Sequence, residues 1–243
     1  MGEANRRKQT GAPPPRKTGS KKPLVIGVSV LVLAAIVFGA FFLTASPKPT
    51  SDALPVAAPN AEAFPERLDQ YGVSVGADDA PVVVREFADY QCPACGLFSE
   101  ASKRLKKEYV EAGQVRFVYF DLPLRQHQNA FPAAQAARCA GDQGAYWEMH
   151  DRLYDSQSEW NTSNDPVATF TRYGNDLGLE ERRFRRCMTT ELHREAVEAS
   201  RRVAMQLQVT STPTVLVDNI RLTRPGWGQL SAVVQRELSS AGK

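Results

Sequence analysis

Cys92 and Cys95 stand in the run Asp89-Tyr-Gln-Cys-Pro-Ala-Cys-Gly96, a C-x-x-C spacing that serves two chemistries. Two thiols one helical turn apart exchange with disulfides, the first attacking as a thiolate and the second resolving the mixed disulfide. The same spacing supplies half of a zinc site. No second C-x-x-C and no nearby His-x-x-His provides the other ligands, so thiol chemistry is the stronger reading. A soft-metal delivery module holding Cu(I) is a further alternative. Met149, Met188 and Met205 form no Met-x-x-Met pair to support it.

The surrounding pattern says how these cysteines are held. Pro81-Val-Val-Val-Arg-Glu-Phe-Ala88 is β-branched and mostly apolar, which predicts an interior strand. It feeds a helix predicted to run to about Glu111 and to close near Gly113. Pro93 suits the first helical turn, where a missing N–H costs nothing. Cys92 then sits at a helix N-terminus, where unpaired N–H groups and the helix dipole favour a thiolate. Residues 115–121 predict a second strand, and residues 129–207 read as helical, punctuated by Gly141, Gly144, Pro166, Gly174 and Gly178. A third strand over 213–218, a possible partner at 220–223 and a helix over 229–238 complete the chain. This order implies an α/β domain with a helical insertion at about 127–207.

At this point a family resemblance is visible. Glu86-Phe-Ala-Asp-Tyr-Gln-Cys-Pro-Ala-Cys95, followed by Thr210-Ser-Thr-Pro-Thr-Val-Leu-Val-Asp218, resembles the DsbA-type branch of the thioredoxin superfamily. Residues 135–154 resemble that branch's helical insertion, and the likeness covers roughly 70–240. It implies a thioredoxin fold with an inserted helical subdomain, acting as a thiol–disulfide oxidoreductase without metal or organic cofactor. By the same resemblance Cys92 is the nucleophile and Cys95 the resolving thiol. Thr212-Pro213 matches the pair whose cis-proline packs against the active-site disulfide. Glu86 matches a buried acid beneath the site, a proton acceptor for Cys95; on its residues alone, an exposed strand glutamate is the plain alternative. Two positions depart from the strongest oxidants of the branch: Ala94 replaces histidine and Thr212 replaces valine. The direction of electron flow (oxidase, isomerase or reductase) therefore stays open.

Four cysteines allow three pairings. Cys139 and Cys187, 48 residues apart in predicted helices, fit either a structural disulfide or a redox relay. The structural bridge is the simpler expectation for an exported domain and stabilises it by roughly 3–4 kcal/mol in the loop-entropy account. His127 and His150 have no serine or acid at hydrolase spacing and are expected to be structural. Arg182, Arg183, Arg185 and Arg186 read as a solvated helix face, and Trp147, Trp160 and Trp227 as packing anchors.

The whole chain has 243 residues, with 30 Lys/Arg against 27 Asp/Glu, and ordinary globular composition. Its charge is uneven: residues 1–23 hold seven Lys/Arg against Glu3, leaving the remainder net acidic. A nucleic-acid-binding domain would carry the basic excess on its folded part, so nucleic acid is not an expected partner. Leu24 to Thr44 is a run of 21 residues without a charge, about 31 Å as a helix, enough to cross a bilayer. It is longer than a signal-peptide core and lacks a good cleavage site, which favours an uncleaved anchor with its basic flank in the cytoplasm. Residues 45–66 are proline-rich and read as a tether to a domain at 67–243. The expected placement is a single-pass protein with its catalytic domain outside the cytoplasm. Its expected partners are the lipid bilayer through 24–44, cysteine-containing exported proteins, and a membrane or thioredoxin-like protein that resets its redox state.

Overall fold

A computed structural model describes residues 53–57 and 61–242. The basic tail, the apolar run 24–44 and half of the proline-rich stretch (45–52 and 58–60) lie outside the described residues. Among those described, no helix is long and apolar enough to cross a membrane.

After a 3-10 turn at Glu66–Tyr71 the elements follow as β1 (Val73–Val75), β2 (Val82–Ala88), α1 (Pro93–Leu105) and β3 (Val115–Asp121). A helical block comes next: α2 (Ala130–Gly141), α3 (Tyr146–Asp155), α4 (Gln157–Trp160), α5 (Pro166–Asp176), α6 (Glu181–Thr189) and α7 (Arg194–Gln206). The chain closes with β4 (Thr214–Val217), β5 (Ile220–Arg221) and α8 (Trp227–Ala241). The sheet order is β1-β3-β2-β4-β5. β2 and β3 run parallel, while β1, β4 and β5 pair antiparallel with their neighbours. This is the α/β architecture expected, with the helical block inserted between β3 and β4.

The central strands are apolar throughout because both faces of the sheet are covered. Alternation along β2 sends Val82, Val84, Glu86 and Ala88 to the face packed by α1, α3 and α8. Phe87 and, from β3, Val118 and Phe120 face the other way, against Leu68 and the Val203 and Ala204 side chains of α7. On that second face Arg85 grips Asp69 through two hydrogen bonds of 2.7 and 2.8 Å, both residues being buried. The pair closes the 3-10 turn onto the sheet, a bidentate geometry that offsets the desolvation of both charges. Phe64 lies 6.2 Å from the Phe120 ring, so packing onto this face begins within the proline-rich stretch.

Two elements differ from the sequence reading. α1 stops at Leu105, and a π-helical turn over Lys106–Val110 completes the expected length before Gly113, whose φ of +70° suits glycine. β1 is a three-residue strand that no hydrophobic run announces.

Candidate active site

Cys92 is the N-cap of α1, with extended backbone at φ −71° and ψ 122°, and Pro93 follows in the first turn. Its carbonyl accepts from Gly96 N at 3.1 Å, the first bond of the helix. Cys95 falls one turn on, fully buried, and the two sulfurs are unbridged. The Cys92 thiol donates to the Thr212 carbonyl at 3.6 Å. The bond between Thr212 and Pro213 is cis. The structure thus brings Cys92, Cys95 and Thr212-Pro213 together from β2–α1 and the loop before β4.

The electrostatics separate the two thiols. Cys92 is pulled down to about 5, first by a hydrogen bond from the Cys95 thiol, then by the Thr212 side chain and the Cys95 and Ala94 amides, against an opposing burial effect. Cys95 is pushed well up, chiefly by burial, then by its bond to Cys92 and by the negative charge of Glu86. One sulfur is therefore a stable thiolate and the other a thiol that holds its proton, the division of labour that exchange requires.

Glu86 is buried on the α1 face of β2, so the exposed-strand alternative is excluded. Neither carboxylate oxygen has a hydrogen-bond partner among the described residues. Burial raises its pKa to about 8, with Lys106 pulling weakly the other way. A raised carboxyl binds more protons in the folded than in the unfolded chain, so it costs stability progressively as pH rises from about 4.5 to about 8. The Cys92 thiol acts with the opposite sign over much of that window, because its folded value lies below its ordinary one. The oxidised protein, in which Cys92 does not titrate, isolates Glu86. There the Glu86→Gln variant is expected to match the parent's melting temperature at pH 5 and exceed it by several degrees at pH 9. Melting curves that stay parallel across this range would remove the buried proton from Glu86.

Polar contacts from the insertion fix the segment leading into Cys92. Asp89 accepts from Gln91 N at 2.7 Å through Oδ1, and from Leu124 N through Oδ2 at 2.8 Å. His127 Nδ1 lies 2.8 Å from the same Oδ2. Gln91 donates to the Asn161 carbonyl at 2.6 Å and accepts from Asn129 N at 2.7 Å. Gln157 Nε2 bridges the carbonyls of Tyr90 and Cys92 at 2.7 and 3.0 Å. A Cβ on Gly96 would stand 2.8 Å from Gln157 Oε1, so only glycine lets this amide lie so close to α1. His127 thus braces the loop, and it does so through a residue of the motif. His150 is buried among Tyr90, Tyr119, Tyr146 and Tyr154, and its Nδ1 meets Tyr90 OH at 2.9 Å. Burial, then Lys106 and Lys103, holds its pKa well below the usual histidine range, so it is neutral.

Sequence reasoning missed Asn129 and Gln157 altogether. Asp89 and Gln91 lay inside the motif, but nothing in the spacing marked Gln157, 65 residues from the carbonyl it braces. Cys139 and Cys187 do form a disulfide, joining α2 to α6. Trp160 is fully buried, with its indole N–H on the Leu153 carbonyl at 2.8 Å, the packing role expected of it.

A sheet of this order, a thiolate at the N-terminus of α1 and a cis-proline facing it define a thioredoxin-type redox site. The thioredoxin family model matches residues 69–236, and the chain belongs to that family. It is 30% identical over 171 residues to the probable disulfide bond formation protein D of Bacillus anthracis, a match covering 68% of this chain and 77% of that protein. It is also 36% identical over 168 residues to the Na(+)/H(+) antiporter NhaA 3 of Salinispora tropica; that match takes in 68% of this chain, which spans only 24% of the antiporter. The fold is similar to the crystal structure of oxidised BdbD from Bacillus subtilis, with a TM-score of 0.64 and 20% identity over 77% of this chain and all of that one.

Proposed function

We propose that this chain is an extracytoplasmic thiol–disulfide oxidoreductase that donates the Cys92–Cys95 disulfide to cysteine-containing exported proteins. The observation that carries the reading is Cys92 set as the N-cap of α1 against the Thr212 carbonyl before a cis-proline, with Cys95 fully buried one turn on. This arrangement pulls Cys92 down to about 5 and pushes Cys95 far above it. At pH 7 a thiol of that pKa is thiolate by roughly a hundredfold. Stabilising the thiolate stabilises the reduced pair, which makes its disulfide an oxidant.

The steps follow from that asymmetry. A substrate thiolate attacks Cys92 Sγ of the disulfide, forming a mixed disulfide and releasing Cys95 as the leaving sulfur. Cys95 is strongly disfavoured as an anion, so it takes up a proton, and Glu86, with a pKa near 8, is largely protonated at neutral pH to supply one. A second substrate thiolate then attacks the substrate sulfur, closing the substrate disulfide and leaving Cys92 as the stable thiolate. Reset requires a membrane or thioredoxin-like partner that takes the two electrons.

Equilibration against glutathione buffers tests the direction. Cys92 at about 5 lies between the values of about 3.5 for DsbA and about 7 for thioredoxin. The potential is expected between about −120 mV and about −270 mV, near the middle. Ala94→His, by placing a donor beside the Cys92 thiolate, is expected to raise the potential and lower the Cys92 pKa together. A wild-type potential at the thioredoxin end would favour a reductase or isomerase; a histidine variant that moves neither quantity would show that residue 94 does not set the redox poise.

The 21-residue uncharged run behind a basic tail supports attachment to the membrane with the catalytic domain outside the cytoplasm. The full chain is expected to resist carbonate extraction, and its catalytic domain is expected to be digested by protease added to spheroplasts whose cytoplasmic membrane is intact. A soluble product beginning near residue 46 would mean that the run is a cleaved leader.

A further inference from the structure

A second set of donor atoms lies outside the Cys92–Cys95 site, where the end of α2, the body of α6 and the start of α7 meet. Cys139 and Cys187 are bridged there, their Cα atoms 5.8 Å apart and both residues buried. The two sulfurs and a ring nitrogen of His193 all lie within 4.8 Å of one another. Asp142 Oδ2 lies 2.9 Å from His193 Nε2 and 3.7 Å from Cys187 Sγ. A disulfide needs only its two sulfurs, yet four donors converge. His193 and Asp142 are part-exposed, 21% and 31%, so the cluster is open to solvent on one side.

We propose that reduction of the Cys139–Cys187 bridge turns this cluster into a zinc site ligated by Cys139, Cys187, His193 and Asp142. The ligands come as two close pairs in sequence, Cys139-x-x-Asp142 and Cys187 with His193 six residues on, the pattern by which short loops build tetrahedral zinc sites. Zinc bonds of about 2.3 Å to sulfur and about 2.0–2.1 Å to nitrogen and oxygen put ligand atoms roughly 3.3–3.8 Å apart. The Asp142–His193 and Asp142–Cys187 separations are already close to this. The sulfurs have to part and to close on the His193 ring nitrogen, which already lies within 4.8 Å of both; with Cβ atoms about 3.8 Å apart across a disulfide, side-chain rotation is enough. Two thiolates and an imidazole select zinc over magnesium or calcium. Three anionic ligands leave the zinc complex with one negative charge, and Arg183, whose Nη2 donates to the Asp142 carbonyl at 2.6 Å, stands beside it.

The chemistry balances with a dithiol as reductant. The donor gives two electrons and two protons to the Cys139–Cys187 bridge, yielding two thiols, and closes its own disulfide. Zinc then displaces the two thiol protons to solvent.

The test uses the full chain carrying Cys92→Ser and Cys95→Ser, so that one thiol pair remains, with zinc alone as the probe. After anaerobic reduction by a phosphine, the protein is expected to bind one zinc per chain, and zinc is expected to raise the melting temperature of the reduced form only. His193→Ala and Asp142→Ala, each first shown to be folded in the oxidised state, are expected to weaken zinc at least tenfold. Cobalt(II) in place of zinc is expected to show thiolate charge-transfer absorption that the oxidised protein lacks. The proposal is overturned if the reduced chain binds no more zinc than a Cys139→Ser/Cys187→Ser control. It is equally overturned if zinc affinity is indifferent to both His193→Ala and Asp142→Ala, or if zinc fails to restore the fold of a chain that reduction unfolds.

Discussion

Cys92→Ala is expected to lower disulfide exchange by roughly 10³-fold or more, the scale on which loss of a nucleophile acts. Cys95→Ala is expected instead to accumulate stable mixed disulfides with substrate. The two sulfurs differ because α1 begins between them. Cys92 caps the helix and faces the Ala94 and Cys95 amides, whereas Cys95 is enclosed beneath it beside Glu86. Without Cys95 the mixed disulfide loses its resolving thiol, so it persists. The same substitution removes the largest contribution to Cys92's low pKa, the hydrogen bond from the Cys95 thiol. Cys92 in this variant should titrate above about 5, yet below an ordinary cysteine, because the helix amides remain. Alkylation rates against pH, read by mass spectrometry, measure both effects. Faster labelling of Cys95 than of Cys92 in the reduced wild type would reverse the assignment.

What the sequence disclosed about this site follows the range of the interactions involved. The β-branched run before Asp89 and the proline after Cys92 are local signals, and they place a strand and a helix start within a residue or so of where both occur. Glu86 is harder, because a glutamate in a strand is exposed or buried according to parity and to what covers that face. Only the packing of α1 on the side of Val82, Val84 and Ala88 decides it. β1 escaped notice because three residues at the sheet edge, held by pairing with β3, carry too little periodicity. The brace on the active-site loop was illegible for a different reason. Gln157 and Asn129 are polar residues in a helical stretch, indistinguishable from solvated ones until the chain folds back and sets their amides on the carbonyls of Cys92 and of residues 160–163. The cysteine motif could be read as chemistry, but the scaffold that holds it rigid could not.

Converting Cys139 and Cys187 together to serine is expected to lower stability by roughly 3–4 kcal/mol while leaving exchange at Cys92 within a few-fold, measured where the variant stays folded. The bridge joins α2 to α6 across 48 residues of sequence, a loop whose closure restricts the unfolded chain far more than it adds native contacts. Both residues are buried, at 1% and 5% exposure, which leaves the thiolate of another protein, unlike a small dithiol entering from the His193–Asp142 side, little access. That burial argues against a relay of electrons through the pair to Cys92. The catalytic thiolate draws its stabilisation from Cys95, Thr212 and the α1 amides, none of which touches the bridge. Thermal unfolding and turnover of a small disulfide substrate, measured on the same preparations, separate the two roles. A loss of turnover with an unchanged melting curve would assign the pair to electron transfer; a lowered melting curve with preserved turnover assigns it to holding the helical insertion in place.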